Sequence, residues 1–273
     1  MIDLHIHTLA SDGVCSASEI VQAAHSKGLK VLAITDHDTV AAIPEALQAA
    51  GEYGIEVVPG VEISTDYSLG LVHILGYHVD YQDVNFTQEL AQMKKAREDR
   101  AKDVLNKLEN LGMKVPFAKV AQIAGEACIG RPHVAQALVE LGWVPDIVTA
   151  FDLYLAEGRP AYAERLKVTP VQACQMINRA GGVAVLAHPL TVRPYEPLLT
   201  SLLPFLVGVE VYYSEFTSEQ KNELLAVAKM YNLIPTGGSD YHGEDRAGSV
   251  LGSGGTPDYV AAELKKARQR KAE

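Results

Sequence analysis

The stretch Leu4-His5-Ile6-His7-Thr8-Leu9-Ala10-Ser11-Asp12-Gly13 sets two imidazoles two positions apart in an apolar run, with a carboxylate five positions after the second. In an extended chain alternate side chains share a side, so His5 and His7 point the same way, at a spacing that lets both bind one ion. The run that carries them is the first of seven. Residues 2–6, 31–34, 55–61, 71–75, 183–186, 207–211 and 233–235 are all short and rich in Val, Ile or Leu. Most are continuous rather than alternating, which is the pattern of strands buried on both faces.

Helical patterns separate several of these runs. Residues 18–27 read as a helix capped by Ser16 or Ser18 and stopped at Gly28, residues 41–53 end at Gly54, and residues 169–180 end at Gly181-Gly182. Strand, helix, strand at this spacing predicts an α/β fold with a parallel sheet, and seven such runs predict a closed or nearly closed barrel. One connection breaks the pattern. Glu62 and His73 are too close for a helical crossover, which takes at least about a dozen residues, so these two strands are expected to pair antiparallel as a hairpin. The segment 86–161 differs again, with a long charged amphipathic helix over 88–111 and shorter ones over 119–124, 132–141 and 151–157. It reads as a helical insertion that caps the substrate, between a first barrel part, 1–85, and a second, 162–273.

With 273 residues, 48% of them hydrophobic, the chain can bury a large core. Its three cysteines, Cys15, Cys128 and Cys174, are odd in number and form no C-x-x-C pair, which speaks against a disulfide framework or a thiolate zinc site and for a reducing compartment. No basic leader with an apolar core opens the chain, and no run approaches the roughly 18 apolar residues of a membrane span, so a cytoplasmic location without membrane contact is expected. A net charge of -10 argues against wholesale binding to polyanions such as duplex nucleic acid. A phosphorylated substrate would have to be held by metal ions and a few local cations. The basic tail over 265–271 reads as a solvated helix end or a minor phosphate contact, and no obligate protein partner is evident.

The chemistry-bearing residues fall at one place in this scheme. His5 and His7 lie near the end of the first run, and His37, His188 and His242 each follow a later one. Glu62 closes the run before the hairpin turn, His73 opens the run after it, and Asp12 and Asp240 belong to neighbouring loops. The C-terminal ends of barrel strands share one face, where active sites of this architecture sit, so these side chains are expected to converge. A single core histidine usually hydrogen-bonds a carbonyl, but six histidines and three carboxylates at one mouth are not explained that way. Nine N and O donors exceed what one ion can use, so two or three ions are expected, and mixed imidazole and carboxylate suits Mn2+, Fe2+ or Zn2+ rather than Ca2+. Asp36 and Asp38 beside His37 read as carboxylates that orient ligands or cap turns. His25 and His78 read as structural.

The motifs D-L-H-I-H-T-x-x-S-D-G at the start, T-D-H-D at 35–38, G-V-E-I-S at 60–64, V-H-I-L-G-Y at 72–77, A-H-P at 187–189 and S-D-Y-H at 239–242 resemble the PHP (polymerase and histidinol phosphatase) family. The match spans both ends of the chain with the motifs in order. The stretch G-R-P-H-V-A at 130–135 is similar to the branch of 3',5'-nucleoside bisphosphate phosphatases and 5'-to-3' exoribonucleases. The resemblance implies a distorted (βα)7 barrel, the PHP fold, with a trinuclear centre. It implies that His5, His7, Glu62 and Asp240 hold one ion, that Glu62 bridges to a second completed by His73 and His188, and that Asp12, His37 and His242 hold a third. It implies hydrolysis of phosphate esters, commonly with Mn2+, with Fe2+, Zn2+ or Mg2+ as the other candidates. His242 and Asp240 are the candidate catalytic residues, and either His242 or a water on the third ion is the general acid.

Arg131 and His133 bear on the substrate. Pro132 suits the first turn of a helix, whose free amides and dipole favour an anion; a guanidinium and an imidazole there make a site for a second phosphate, unless they merely cap a surface helix. One phosphate at the metals and another at Arg131 describes a 3',5'-bisphosphonucleotide, from which the 3'-phosphate is released, or a short 5'-phosphorylated oligonucleotide. Lys94, Arg97 and Arg100 either line the same cleft or form a solvated face with Glu98 and Asp99. Tyr212, Tyr213 and Phe216 either stack on a base or pack in the rim. Three other readings remain: a phosphatase for a small metabolite such as histidinol phosphate, a non-catalytic metal-binding regulatory module, and a zinc amidohydrolase. The last ranks lowest, because no lysine sits at a strand end to serve as a carbamylated bridge.

Overall fold

The structure, a computed structural model, describes residues 1–67, 70–124, 129–163, 168–243 and 250–272; Cys128 lies outside them. Its strands, β1 (Ile2–Asp3), β2 (Val31–Ile34), β3 (Glu56–Tyr67), β4 (Gly70–Tyr77), β5 (Val183–Leu186), β6 (Leu206–Tyr213) and β7 (Ile234–Gly238), form one seven-stranded sheet in chain order. β1, β2 and β3 pair in parallel, β4 is antiparallel to β3 and to β5, and β5, β6 and β7 are parallel again. Ile6 bridges Tyr241, and the His7 N–H donates to the Tyr241 carbonyl at 2.9 Å, so the two edges of the sheet meet and the barrel is nearly closed. The α/β barrel with one hairpin, expected from the runs and from the short Glu62–His73 spacing, is the fold found.

Where the elements begin and end differs from the sequence reading for local reasons. β1 is only two residues long, because beyond Asp3 the chain hydrogen-bonds to side chains: the Ile6 N–H donates to Thr35 Oγ1 at 3.0 Å and the Thr8 N–H to Asp36 at 2.7 Å. The hairpin is longer than expected. Its ladder continues past Glu62↔Leu75 and Ser64↔His73 to Tyr67↔Gly70, so Glu62 and His73 sit within strands rather than at their ends. Of the two candidate caps, Ser16 starts α1 (Ala17–Ser26) in a reciprocal capping box with Glu19, while the Ser18 hydroxyl donates to Glu45 at 2.6 Å. α2 (Ile43–Tyr53) starts two residues later than the pattern suggests, with Pro44 in its first turn, and Gly54 ends it at φ 66°, a conformation that favours glycine.

Contacts divide the chain into two compact units. The first comprises Met1–Gln88 and Lys167–Glu273, the second Glu89–Leu166. In the first, α1 and α2 cover β1–β3 through Ile20, Val21, Ala46 and Ala50, while Leu4, Tyr77 and Val185 form a further core with Val260 and Leu264 of α10 (Tyr259–Ala272). The Tyr77 hydroxyl, fully buried, donates to the Leu4 carbonyl at 2.9 Å. The second unit is helical: most of α3 (Val84–Asn110), α4 (Phe117–Ala124), α5 (Arg131–Glu140) and α6 (Ile147–Ala150) pack around Val104, Leu108, Val120, Val134 and Leu138. The helix expected over 151–157 is instead a single π-helical turn, Phe151–Leu155, that continues directly from α6. The remaining helices, α7 (Pro170–Arg179), α8 (Glu196–Leu202) and α9 (Ser218–Met230), belong to the first unit. Among the described residues no helix is long and apolar enough to cross a membrane.

Candidate metal centre

All nine donors picked from the sequence come together. Three groups, His7–Asp12–His37–His242, His5–His7–Glu62–Asp240 and His37–Glu62–His73, each bring their donor atoms within 4.8 Å of one another. Glu62, 1% exposed, stands at the middle and its two oxygens face different partners. Oε2 lies 3.3 Å from His5 Nε2, 3.2 Å from His7 Nε2 and 3.1 Å from His37 Nδ1, while Oε1 lies 2.9 Å from His73 Nδ1 and 3.0 Å from His188 Nε2. Asp240 Oδ1 is 3.3 Å from His5 Nε2 and 3.0 Å from His7 Nε2, and Asp12 Oδ1 is 3.2 Å from His242 Nε2. The groups share His7, His37 and Glu62, so the donor set is continuous. Geometry also draws His7 toward the Asp12 group and His37 toward Glu62 and His73.

The fold prepares each donor. Asp36 accepts from the Thr8 N–H at 2.7 Å, the Thr8 hydroxyl at 2.8 Å and the Ser11 hydroxyl at 2.5 Å, pinning the loop that carries Asp12. Asp38 accepts from the Ser64 N–H at 2.8 Å, which ties the His37 loop to β3. Asp3, fully buried, accepts from the Ser239 N–H at 2.9 Å and from the Gly252 N–H at 2.7 Å, fixing the chain just before Asp240. Gly238 allows that approach, since a Cβ there would lie 2.3 Å from the His5 nitrogen. Asp38, His188 and Asp240 all have positive φ, at 53°, 21° and 52°. Left-handed backbone at non-glycine residues costs of order 1–3 kcal/mol and persists only where surroundings over-determine it, which is common at functional sites.

Electrostatics and unmet hydrogen bonds both mark the cluster as a site for cations. His5 Nε2, His7 Nε2, His37 Nδ1 and Asp240 Oδ1 are buried and make no hydrogen bond. Burial alone would lower the His7 imidazole, but the Asp240 and Glu62 carboxylates beside it outweigh burial and raise it to about 10. His5 is raised in the same way against its burial by Asp240, Glu210 and Glu62, whereas His37 is pushed down to about 3, chiefly by burial and against the pull of Glu62. Burial would raise the Glu62 and Asp240 carboxyls, yet the surrounding imidazoles hold both well below the ordinary range. Buried carboxylates kept ionised among imidazoles with unengaged nitrogens fit divalent ions, and the N/O donor set suits a transition metal.

Glu210 and Tyr213 also touch the donors and were not singled out for this role. Glu210, fully buried on β6, accepts from His5 Nδ1 at 2.9 Å and from the His188 N–H at 2.7 Å. The Tyr213 hydroxyl donates to Asp240 Oδ2 at 2.8 Å, and the Tyr213 ring packs against His188 and Phe216. The sequence signal for Glu210 was its isolation: a lone carboxylate in an otherwise apolar buried run. His25 packs at a tilt against the Tyr53 ring and His78 faces Lys265 and Arg268, so both stand apart from the cluster.

Arg131 and His133 lie in the helical unit. Arg131 opens α5, donates to the Leu155 carbonyl at 3.1 Å and lies over the Phe151 and Tyr162 rings at 5.8 and 5.6 Å. His133 Nδ1 accepts from the Gly130 N–H at 3.1 Å and so fixes the start of the helix. Of the three α3 cations weighed for the cleft, Arg97 and Arg100 line one small pocket together with Gly130 and Arg131, while Lys94 is exposed and does not line it.

The sequence profile of the PHP domain matches residues 3–166. The chain belongs to the PHP domain family. It is 37% identical over 246 residues to a 5'-3' exoribonuclease of Haemophilus influenzae, a match that covers 88% of this chain and 89% of the relative. It is 31% identical over 257 residues to a 3',5'-nucleoside bisphosphate phosphatase of Chromobacterium violaceum, covering 92% and 90%. Among solved structures, a metal-dependent phosphoesterase from Bifidobacterium adolescentis superposes with a TM-score of 0.81 at 30% identity, over 98% of this chain and 96% of that one. The chain is thus a metal-dependent phosphoesterase of the PHP family.

Proposed function

We propose that this phosphoesterase releases the 3'-phosphate of 3',5'-bisphosphonucleotides, and that it also trims short 5'-phosphorylated RNA from the 5' end. The observation that carries this reading is the pocket where Arg97, Arg100 and Arg131 meet the N-terminus of α5. Three guanidiniums at the positive end of a helix dipole suit a dianionic phosphate that is held rather than cleaved. Arg131 supplies the fork of donors, and His133, by holding the Gly130 N–H, sets the turn that presents it. The names of the two relatives favour the same pair of substrates, both of which carry a phosphate besides the one attacked.

The cluster around Glu62 is the hydrolytic centre, and Mn2+ is the metal we assign to it. His5, His7, Glu62 and Asp240 would hold one ion, Glu62, His73 and His188 a second, and Asp12, His37 and His242 a third. Such ions lower the pKa of water toward neutrality and offset the charge that develops on phosphate oxygens. The chain's own part is to fix the donors. The two Glu62 oxygens divide the imidazoles into two sets, Tyr213 orients Asp240, and the carbonyl of Asp240 accepts from His242 Nδ1 at 2.8 Å, turning His242 Nε2 toward Asp12.

Phosphate release from adenosine 3',5'-bisphosphate, with AMP and histidinol phosphate in parallel, tests the substrate. The bisphosphate should be preferred by at least about tenfold in kcat/KM, a difference near 1.4 kcal/mol, and Arg131→Ala should erase that preference. Equal turnover of the monophosphates by the unmodified protein would remove the nucleotide claim and leave a small-metabolite phosphatase; bound metal without any turnover would leave a regulatory module.

A further inference from the structure

We propose that Glu210 is the positioning residue of the metal centre: one carboxylate selects the ligating nitrogen of His5 and fixes the backbone of His188, and so serves both sides of Glu62. The inference rests on the reading of the cluster as a metal centre.

Glu210 lies in the apolar run of β6 and is fully buried. The β6–β7 register shifts between Glu210 and Tyr212, the kind of irregularity that re-aims a side chain. Its two oxygens meet two donors. Oε1 lies 2.9 Å from His5 Nδ1, and Oε2 accepts from the His188 N–H at 2.7 Å. A carboxylate can only accept, so the first contact keeps a His5 proton on Nδ1 and makes Nε2, which faces Glu62 and Asp240 at 3.3 Å each, the nitrogen that gives up its proton to an incoming ion and ligates it. The second contact holds His188 at φ 21° and ψ 61°, a backbone that side-chain-bearing residues seldom adopt. In that conformation His188 Nε2 reaches Glu62 Oε1 at 3.0 Å and His73 Nδ1 at 3.3 Å. His5 is on the Oε2 side of Glu62 and His188 on its Oε1 side, and Glu210 touches both from behind: His5 at Nδ1 and His188 at its backbone N–H.

The isosteric amide cannot do the same. Glu210→Gln keeps the shape but offers one acceptor and one donor group. Either its NH2 faces the His188 N–H, two donors in contact, or it donates to His5 Nδ1 and drives the His5 proton onto Nε2, where it blocks ligation. Replacing a carboxylate that orients a ligand histidine typically costs 10–100-fold in metal affinity.

The test compares wild type, Glu210→Gln, Glu210→Ala and Tyr77→Phe for bound Mn2+ per chain, for affinity by chelator competition and for Tm. Tyr77→Phe deletes a buried hydrogen bond to Leu4 without touching an imidazole. Both Glu210 variants should bind the two Glu62-linked ions about 10–100-fold more weakly and keep the ion of the Asp12 group, while Tyr77→Phe loses stability but no affinity. In the zinc-loaded protein, long-range 1H–15N spectra should show His5 as the Nδ1–H tautomer in wild type and lose that signature in Glu210→Gln. Unchanged affinities in Glu210→Gln, or equal losses in Tyr77→Phe, would overturn the role of Glu210 while the metal centre stands. A wild-type chain that binds no divalent ion would overturn both.

Discussion

Removing the Asp36 carboxylate should loosen one end of the site without disturbing the other. Asp36 is 1% exposed and accepts three hydrogen bonds, from the Thr8 N–H, the Thr8 hydroxyl and the Ser11 hydroxyl. Hydrogen bonds to a charged group contribute about 1.5–3 kcal/mol each, and a buried donor left unmet costs about 1–3 kcal/mol. The sum is offset in part because burial raises the Asp36 carboxyl and so penalises its charged form. For Asp36→Ala we expect a loss of about 3–5 kcal/mol, since the Thr8 N–H is stranded. In Asp36→Asn the remaining oxygen still accepts from that N–H and the new NH2 can donate to the Thr8 hydroxyl, so about 1–2 kcal/mol is expected. At about 2–4 °C per kcal/mol, thermal unfolding should fall by about 6–20 °C for Ala and about 2–8 °C for Asn. Metal titration should show weakened binding at the Asp12 group and unchanged binding around Glu62. Two variants within about 2 °C of wild type, or metal lost first from the Glu62 side, would refute the reasoning.

Two more perturbations follow from the barrel. Gly238→Ala puts a methyl 2.3 Å from the His5 nitrogen and 2.4 Å from its Cβ, so it should cost at least about 1–3 kcal/mol and depress metal affinity; Gly51→Ala in α2, where nothing lies within 4 Å, should stabilise by about 0.5–1 kcal/mol, both read by Tm. His78 is held down to about 4 by burial and by the charges of Arg268 and Lys265. Its folded value lies below that of the unfolded chain, so it has no effect on stability above pH 6.5 or so, and the native state is disfavoured progressively as pH falls from there toward about 4. His78→Asn, which tolerates φ 56°, should therefore flatten the acid side of the stability profile between those limits; parallel profiles would place the titration elsewhere.

The convergence of the His, Asp and Glu side chains was legible because ligand chemistry restricts residue types strongly and barrel topology restricts where they occur. His5 and His7 needed only strand alternation, and the hairpin needed only the count of residues between Glu62 and His73. What was not legible depended on contacts distant in sequence. Glu210 meets His5 across 205 positions, and Tyr213 meets Asp240 across 27. The length of the hairpin was missed because β3 and β4 continue their ladder through residues that also read as a loop, Thr65 and Gly70 among them. The pocket of Arg97, Arg100 and Arg131 was ambiguous for a similar reason, since helical spacing puts charges on one face without saying what that face meets. His133 carries a second lesson: its Nδ1 is engaged by the Gly130 N–H, a capping role, while Arg131 two residues earlier lines the pocket.

The most direct measurement is the number of divalent ions retained per chain after loading with Mn2+ and desalting, by elemental analysis of wild type and Glu62→Ala. A centre built around the two oxygens of Glu62 predicts three ions in wild type, one for each donor group, and the loss of two in Glu62→Ala with the ion of the Asp12 group kept. A wild-type chain that retains one ion or none, or a Glu62→Ala variant that retains as many as wild type, would contradict it.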